Sequence, residues 1–177
     1  VMGQVIHRLV RELTGNADPY QHLKDASNRY ALKLYPTLAE KIKNSSDPFE
    51  MAIRLAIAGN IIDFGVNGTI YWKNIDATIE QSLFEPVLGS INSFFEAVSS
   101  AKKILYIGDN AGEIVFDRLL IEQLASGTIT FAVRGKPVIN DATLKDAIQT
   151  GMANLVKIID NESDAPGTIL EDCSESF

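Results

Sequence analysis

The chain has 177 residues, 46% of them hydrophobic and 22% charged, a composition that excludes a disordered or fibrous protein. Sixteen basic against 23 acidic residues give a formal net charge of −7, and without a Lys/Arg-rich run this excludes an extended nucleic acid as partner. The single cysteine, Cys173, excludes an intrachain disulfide and a cysteine-rich zinc site and fits a reducing cytoplasm.

From Val1 to about Ala101 apolar residues recur at helical spacing. Val1 already sits inside an amphipathic pattern (Val5, Leu9, Leu13), so the pattern is expected to start before it. Pro19, Pro36, Pro48 and Pro86 punctuate the segments, and Asp18-Pro19 and Asp47-Pro48 each offer an N-cap followed by proline in the first turn. The helix from Pro48 to about Asp63 is apolar on nearly all sides and is expected to be buried. It is interrupted by Gly59 and Asn60 and falls short of the roughly 20 apolar residues that span a bilayer, so the protein reads as soluble. Asn60 and Asp63 lie on one face of its end, before Gly65 as a left-handed C-cap.

After Lys102-Lys103 the period changes. Ile104 to Ile107 reads as a buried strand, Glu113 to Ala125 as a helix, Thr128 to Val133 as a strand, Ala142 to Thr150 as a helix and Leu155 to Ile159 as a strand. This alternation predicts an α/β fold with a mostly parallel sheet. A helical region (1–101) is expected to precede a Rossmann-like unit (102–177). Gly167 to Phe177 reads as a further helix leading to another strand, and the sheet is expected to be completed beyond Phe177.

Open parallel sheets bind ligands beyond the carboxyl ends of their strands, where Asp109-Asn110 sits. Gly108 to Gly112 is neither G-x-G-x-x-G nor a Walker loop. A carboxylate at this position repels phosphate unless a cation lies between them, and Asp109 with Asn110 offers hard oxygen donors of the kind magnesium and manganese take. Taken alone, either residue reads equally well as a plain helix cap. The second strand leads through Arg134-Gly135-Lys136 to Asp141, read as the opening of its helix and, with strands about 4.8 Å apart, beside the Asp109 turn. Two carboxylates for a cation, with Arg134 and Lys136 to offset phosphate charge, make a phosphoryl site; an N-cap at Asp141 and solvated basic residues are the plainer alternative. His7 and His22 lack metal-ligand spacing, and Cys173 has no base in view.

Four segments carry a resemblance: Ala58 to Gly65, Gly108 to Asp117, Pro137 to Thr143 and Asp164 to Thr168. Together they resemble the damage-control phosphatase family, also known as domain of unknown function 89, in its archaeal and bacterial branch. The resemblance implies a helical region beside a Rossmann-like α/β/α sandwich, with a divalent metal (manganese, cobalt, nickel or magnesium) on Asp109, Asn110 and Asp141. It implies hydrolysis of small phosphorylated metabolites, such as damaged or surplus sugar phosphates or nucleotide-related compounds. Asn60 and Asp63 then become pocket residues beside Arg134 and Lys136 as the substrate-binding set; Asp109 and Glu113 are the candidate catalytic carboxylates, with attack by water or by a carboxylate both open and Glu113 reading equally as an outer partner of the site or a first-turn helix acid. It also implies a Cys-x-x-Cys segment before Val1 and a Lys-Gly-x-Gly-Asn motif after Phe177. A methyltransferase using S-adenosylmethionine on carboxyl groups, or a non-enzymatic metal- or nucleotide-binding module, is the alternative; an oligomer is compatible with the sequence.

Overall fold

The computed structural model describes residues 2–61, 75–124 and 127–177. Asp63 and Gly65, named above for the end of the apolar helix, lie outside the described residues. Among the described residues five helices come first: α1 (Met2–Thr14), α2 (Gln21–Lys43), α3 (Pro48–Ile61), α4 (Ile75–Ser82) and α5 (Ile91–Ser100). Then β1 (Lys103–Ile107), α6 (Glu113–Ile121), β2 (Thr128–Val133), α7 (Leu144–Gln149) and β3 (Lys157–Asp160) alternate. The strands are parallel in the order β1-β2-β3, as the change of period predicts.

Local chemistry accounts for most boundaries. Asp47 accepts the Glu50 N–H at 2.9 Å and Pro48 opens α3, which is the predicted cap. Asp18 instead accepts from the Tyr20 N–H at 3.2 Å, and α2 begins two residues after Pro19. Pro36 does not punctuate anything: it lies inside α2. The helix passes through it because buried Leu38 and Ile42 beyond the proline, and Ala31 before it, are held in the core, and that packing outweighs one missing backbone hydrogen bond. Ser90 caps α5 by accepting the Ser93 N–H at 3.1 Å.

The helical core gathers Ala31, Leu38, Ala52, Leu55 and, from α6, Val115, Phe116 and Leu119. Gly59 is required where α3 crosses α6, because a Cβ there would lie 2.7 Å from Phe116 Cβ. A second cluster joins Ile114 and Ile121 of α6 to Ile129, Phe131 and Val133 of β2 and to Ala147 of α7. Thus α6 is shared by both cores and carries the site between them.

Two expectations are corrected. β1 is not the buried strand expected: it stands at one end of the described sheet, and Ile104 and Tyr106 pack inward while Leu105 and Ile107, on the opposite face, are 54% and 50% exposed. The end of the chain forms only a 3₁₀ turn at Leu170–Asp172; Asp172 is drawn to Gln4 and Ser163 instead of into a helix. The apolar stripe of α1 (Val5, Leu9, Leu13) is exposed, because its polar face is what docks, through Gln4 and Arg8 on Asp164. No helix among the described residues is long and apolar enough to cross a membrane.

Candidate active site

β1 and β2 deliver their chains to adjacent turns, and the backbone ties those turns together. The Ala111 N–H donates to Asn140 O at 2.8 Å and the Ala142 N–H to Asp109 O at 2.7 Å, flanking an antiparallel bridge between Asn110 and Asp141. Beneath them the Gly108 N–H donates to Ala132 O and the Arg134 N–H to Ala142 O, both at 2.9 Å. Asp109, Asn110 and Asp141, distant in sequence, are therefore neighbours by main-chain pairing.

Arg134, at the end of β2, is 4% exposed and spans both carboxylates. Its Nε donates to Asp141 Oδ2 at 2.7 Å, Nη2 to Asp109 Oδ1 at 3.3 Å and Nη1 to Thr168 Oγ1 at 2.9 Å. Lys136 is exposed on the loop that follows. The helix-cap alternatives fail on geometry. α6 is capped by Gly112, whose φ of 86° suits glycine. α7 is capped by Thr143, so Asp141 stands two residues before its helix cap rather than opening the helix. Asp146 takes over the cap by accepting the Thr143 N–H at 2.9 Å and its hydroxyl at 2.7 Å. Ile139, two residues before Asp141, is held at φ 45°, a strained conformation for a β-branched residue that the surrounding hydrogen bonds impose.

Glu113 opens α6 and is buried beside the turn. Its two oxygens accept from Asn60 Nδ2 and Asn110 Nδ2, each at 3.0 Å. Burial raises its pKa, the two amides oppose that shift, and the charge of Asp109 adds to it. Burial likewise raises Asp141, against the pull of Arg134. Behind Glu113, the Tyr106 hydroxyl donates to Asp117 Oδ1 at 2.6 Å, and burial pushes the Asp117 carboxyl up to about 8.

Among the described residues no three His, Cys, Asp or Glu side chains are grouped to hold a metal by themselves. The donors nevertheless suit a hard cation, which commonly uses one or two carboxylates together with water and substrate phosphate. Asn110 donates through its nitrogen to Glu113, which turns its amide oxygen the other way. Asp109 is half-exposed, and the ionised forms of Asp141 and Glu113, disfavoured by burial and by Asp109, are those a cation would stabilise.

Sequence reasoning did not reach Tyr106, Asp117, Lys24, Asn28 or Asp146 as parts of this region. The Thr143-x-x-Asp146 spacing is a visible capping-box signal, but the partners on α2 have no local signature.

A parallel Rossmann-like sheet with paired acidic turns at its strand ends describes the fold and the site, and similarity to known proteins places the chain in a family. The damage-control phosphatase ARMT1-like domain matches residues 1–177. The chain belongs to that family. It is 40% identical to an uncharacterised protein of Methanocaldococcus jannaschii, covering 99% of this chain and 60% of that protein. It is 33% identical to a damage-control phosphatase of Pyrococcus horikoshii, covering 100% of this chain and 61% of that one. A crystal structure of a DUF89 family protein from Pyrococcus horikoshii superposes with a TM-score of 0.83 at 32% identity, covering 98% of this chain and 60% of the other. The chain thus spans about three fifths of the length of these relatives.

Proposed function

We propose that this chain forms the metal-binding part of a metal-dependent phosphatase that hydrolyses phosphate esters of small metabolites, such as damaged or surplus sugar phosphates or nucleotide-related compounds. The observation that carries the reading is the backbone-linked pair of turns that brings Asp109, Asn110 and Asp141 together around Arg134. Two relatives named damage-control phosphatases support it.

In this reading Asp109, Asn110 and Asp141 hold a divalent cation: manganese, cobalt, nickel or magnesium. When bound, the cation supplies Lewis-acid polarisation of a phosphoryl oxygen. Arg134 holds both carboxylates in place and adds positive charge beside the phosphate. Lys136, exposed on the same loop, is assigned to the approaching anion. Asp109 is the carboxylate most open to the reacting phosphate. Glu113, fixed by two amides, orients Asn110 and is assigned as the second catalytic carboxylate.

A cavity of about 450 Å³ opens beside Glu113, walled by Ile53, Ala56, Leu88, Phe94 and Tyr106. Among the described residues its lining has carboxyl groups and no basic side chain, so it suits the uncharged carbon skeleton of the ester rather than a second anion. Asn60, hydrogen-bonded to Glu113, is assigned to substrate binding through that contact, as is Asp63, which lies outside the described residues.

Phosphate release from a panel of metabolite phosphates, with each metal in turn, tests the reading. Asp109→Ala is expected to lower turnover by about a hundredfold or more, because removing an electrostatic partner of this kind costs several kcal/mol of barrier. Undiminished turnover by Asp109→Ala would exclude the assignment.

A further inference from the structure

We infer that Asn28 is a positioning residue: through Gly112 and Asp146 it holds the Asp109 turn and the Asp141 turn in one register. The consequence for metal affinity rests on the cation-site reading above; the brace itself does not.

Asn28 lies on α2 and is fully buried. Its Oδ1 accepts the Gly112 N–H at 2.7 Å, across 84 residues of sequence. Its Nδ2 donates to Asp146 Oδ1 and to Gln149 Oε1, both at 2.9 Å. Gly112 is the cap of α6, directly after the Asp109-Asn110-Ala111 turn, and a helix start carries N–H groups with no partner inside the helix. Buried among side chains, this one needs an acceptor, and Asn28 supplies it. Asp146 in turn holds Thr143, two residues after Asp141. One amide group therefore touches the first turn on its oxygen side and the anchor of the second on its nitrogen side.

The rest of the network shows why an amide is needed. Asp146 is fully buried and receives Lys24 Nζ at 3.4 Å, while Lys24, also fully buried, pairs with Asp18 at 2.7 Å. A second carboxylate at position 28 would face Asp146 at hydrogen-bond distance, and an apolar residue would strand both Asp146 and the Gly112 N–H. The α2 network thus fixes both turns from behind, while Arg134 and the backbone pairs tie them at the front.

The test reads amide exchange in the metal-free protein and Mn²⁺ affinity by electron paramagnetic resonance. It compares wild type with Asn28→Ala, Asn28→Ser, Asn28→Asp and the exchanged pair Asn28→Asp/Asp146→Asn. Exchange at 109–113 and 139–143 is expected to rise at least about tenfold more than in β2 for the single variants. Mn²⁺ affinity is expected to fall by about 10- to 100-fold, the usual cost of losing an outer partner of a metal ligand. The exchanged pair keeps the net charge. In it the new carboxylate at position 28 accepts from the Gly112 N–H and the new amide at position 146 donates to that carboxylate, so both quantities are expected to recover. If Asn28→Ala does not fold, the serine variant and the exchanged pair carry the comparison. Turns that exchange as in wild type, a uniform acceleration across the chain, or no recovery in the exchanged pair would each overturn the brace. A wild type that binds no Mn²⁺ while its turns still respond to substitution of Asn28 would refute the cation site and leave the brace standing.

Discussion

Asp117 is a buried carboxyl whose state links the protein's stability to pH. Burial holds it protonated, with a folded value of about 8 against an ordinary 3.8, so between those values the folded state binds the proton that the unfolded chain has released. Stability from this group is therefore full below about pH 4 and is lost as pH rises toward 8, by at most about 1.4 kcal/mol per pH unit. Asp117→Asn keeps an acceptor for the Tyr106 hydroxyl while removing the titration. Chemical denaturation at pH 4 and pH 8 is expected to show the variant gaining about 1 kcal/mol or more over wild type at pH 8 and nothing at pH 4. Equal pH slopes for the two proteins would contradict it. Asp117 closes the Gly108 to Asp117 motif, yet its role is not legible there, because the group that defines it, Tyr106, comes from the preceding strand.

At the scale of elements, α1 is held to the rest of the chain by charge. Asp164 accepts from Gln4, Arg8 and Arg11, and Arg11 also donates to Pro137 O at 2.8 Å, so α1 braces the loop that leads to Asp141. Hydrogen bonds from Arg8, together with those of Gln4 and Arg11, hold the Asp164 carboxyl well below the usual carboxylate range. Its contribution is thus complete above about pH 4 and is lost as the pH falls further. Asp164→Asn is expected to weaken α1 docking by about 1.5 to 3 kcal/mol, read as a 10- to 100-fold rise in amide exchange within α1 with β2 unchanged. Acidification below about pH 4 is expected to do the same to wild type and less to the variant, in which Asp172 still titrates against Gln4 and Arg8. The helices and strands themselves were legible, since apolar spacing reports burial and period. Which face of α1 docks was not, because an amphipathic pattern names two faces and only the distant Asp164 decides between them. The half-exposure of β1 escaped for a related reason: Ile104 to Ile107 is apolar throughout, and which of its two alternating faces is covered is decided by packing against distant elements.

For the molecule as a whole, the juxtaposition of the two turns was legible because each follows a strand end, whereas the network behind them joins α2 to residues 84 and 118 positions away, which no local pattern encodes. Folding and cation binding should therefore be linked: the unfolded chain separates Asp109 from Asp141, so a cation that needs both binds the native state alone. At a hundred times its dissociation constant such a ligand adds about 2.7 kcal/mol to stability. For a chain of this size that is a rise in Tm of roughly 5 to 10 °C. Calorimetric scans with and without Mn²⁺ are expected to show this shift in wild type and to lose it in Asp141→Ala, which also frees Arg134 from its closest partner. The same scans expose a competing outcome. If Arg134 alone satisfies the two carboxylates, Mn²⁺ will leave the Tm of wild type unmoved, and the acidic pair would be a structural ion-pair cluster at the strand ends instead of a cation site.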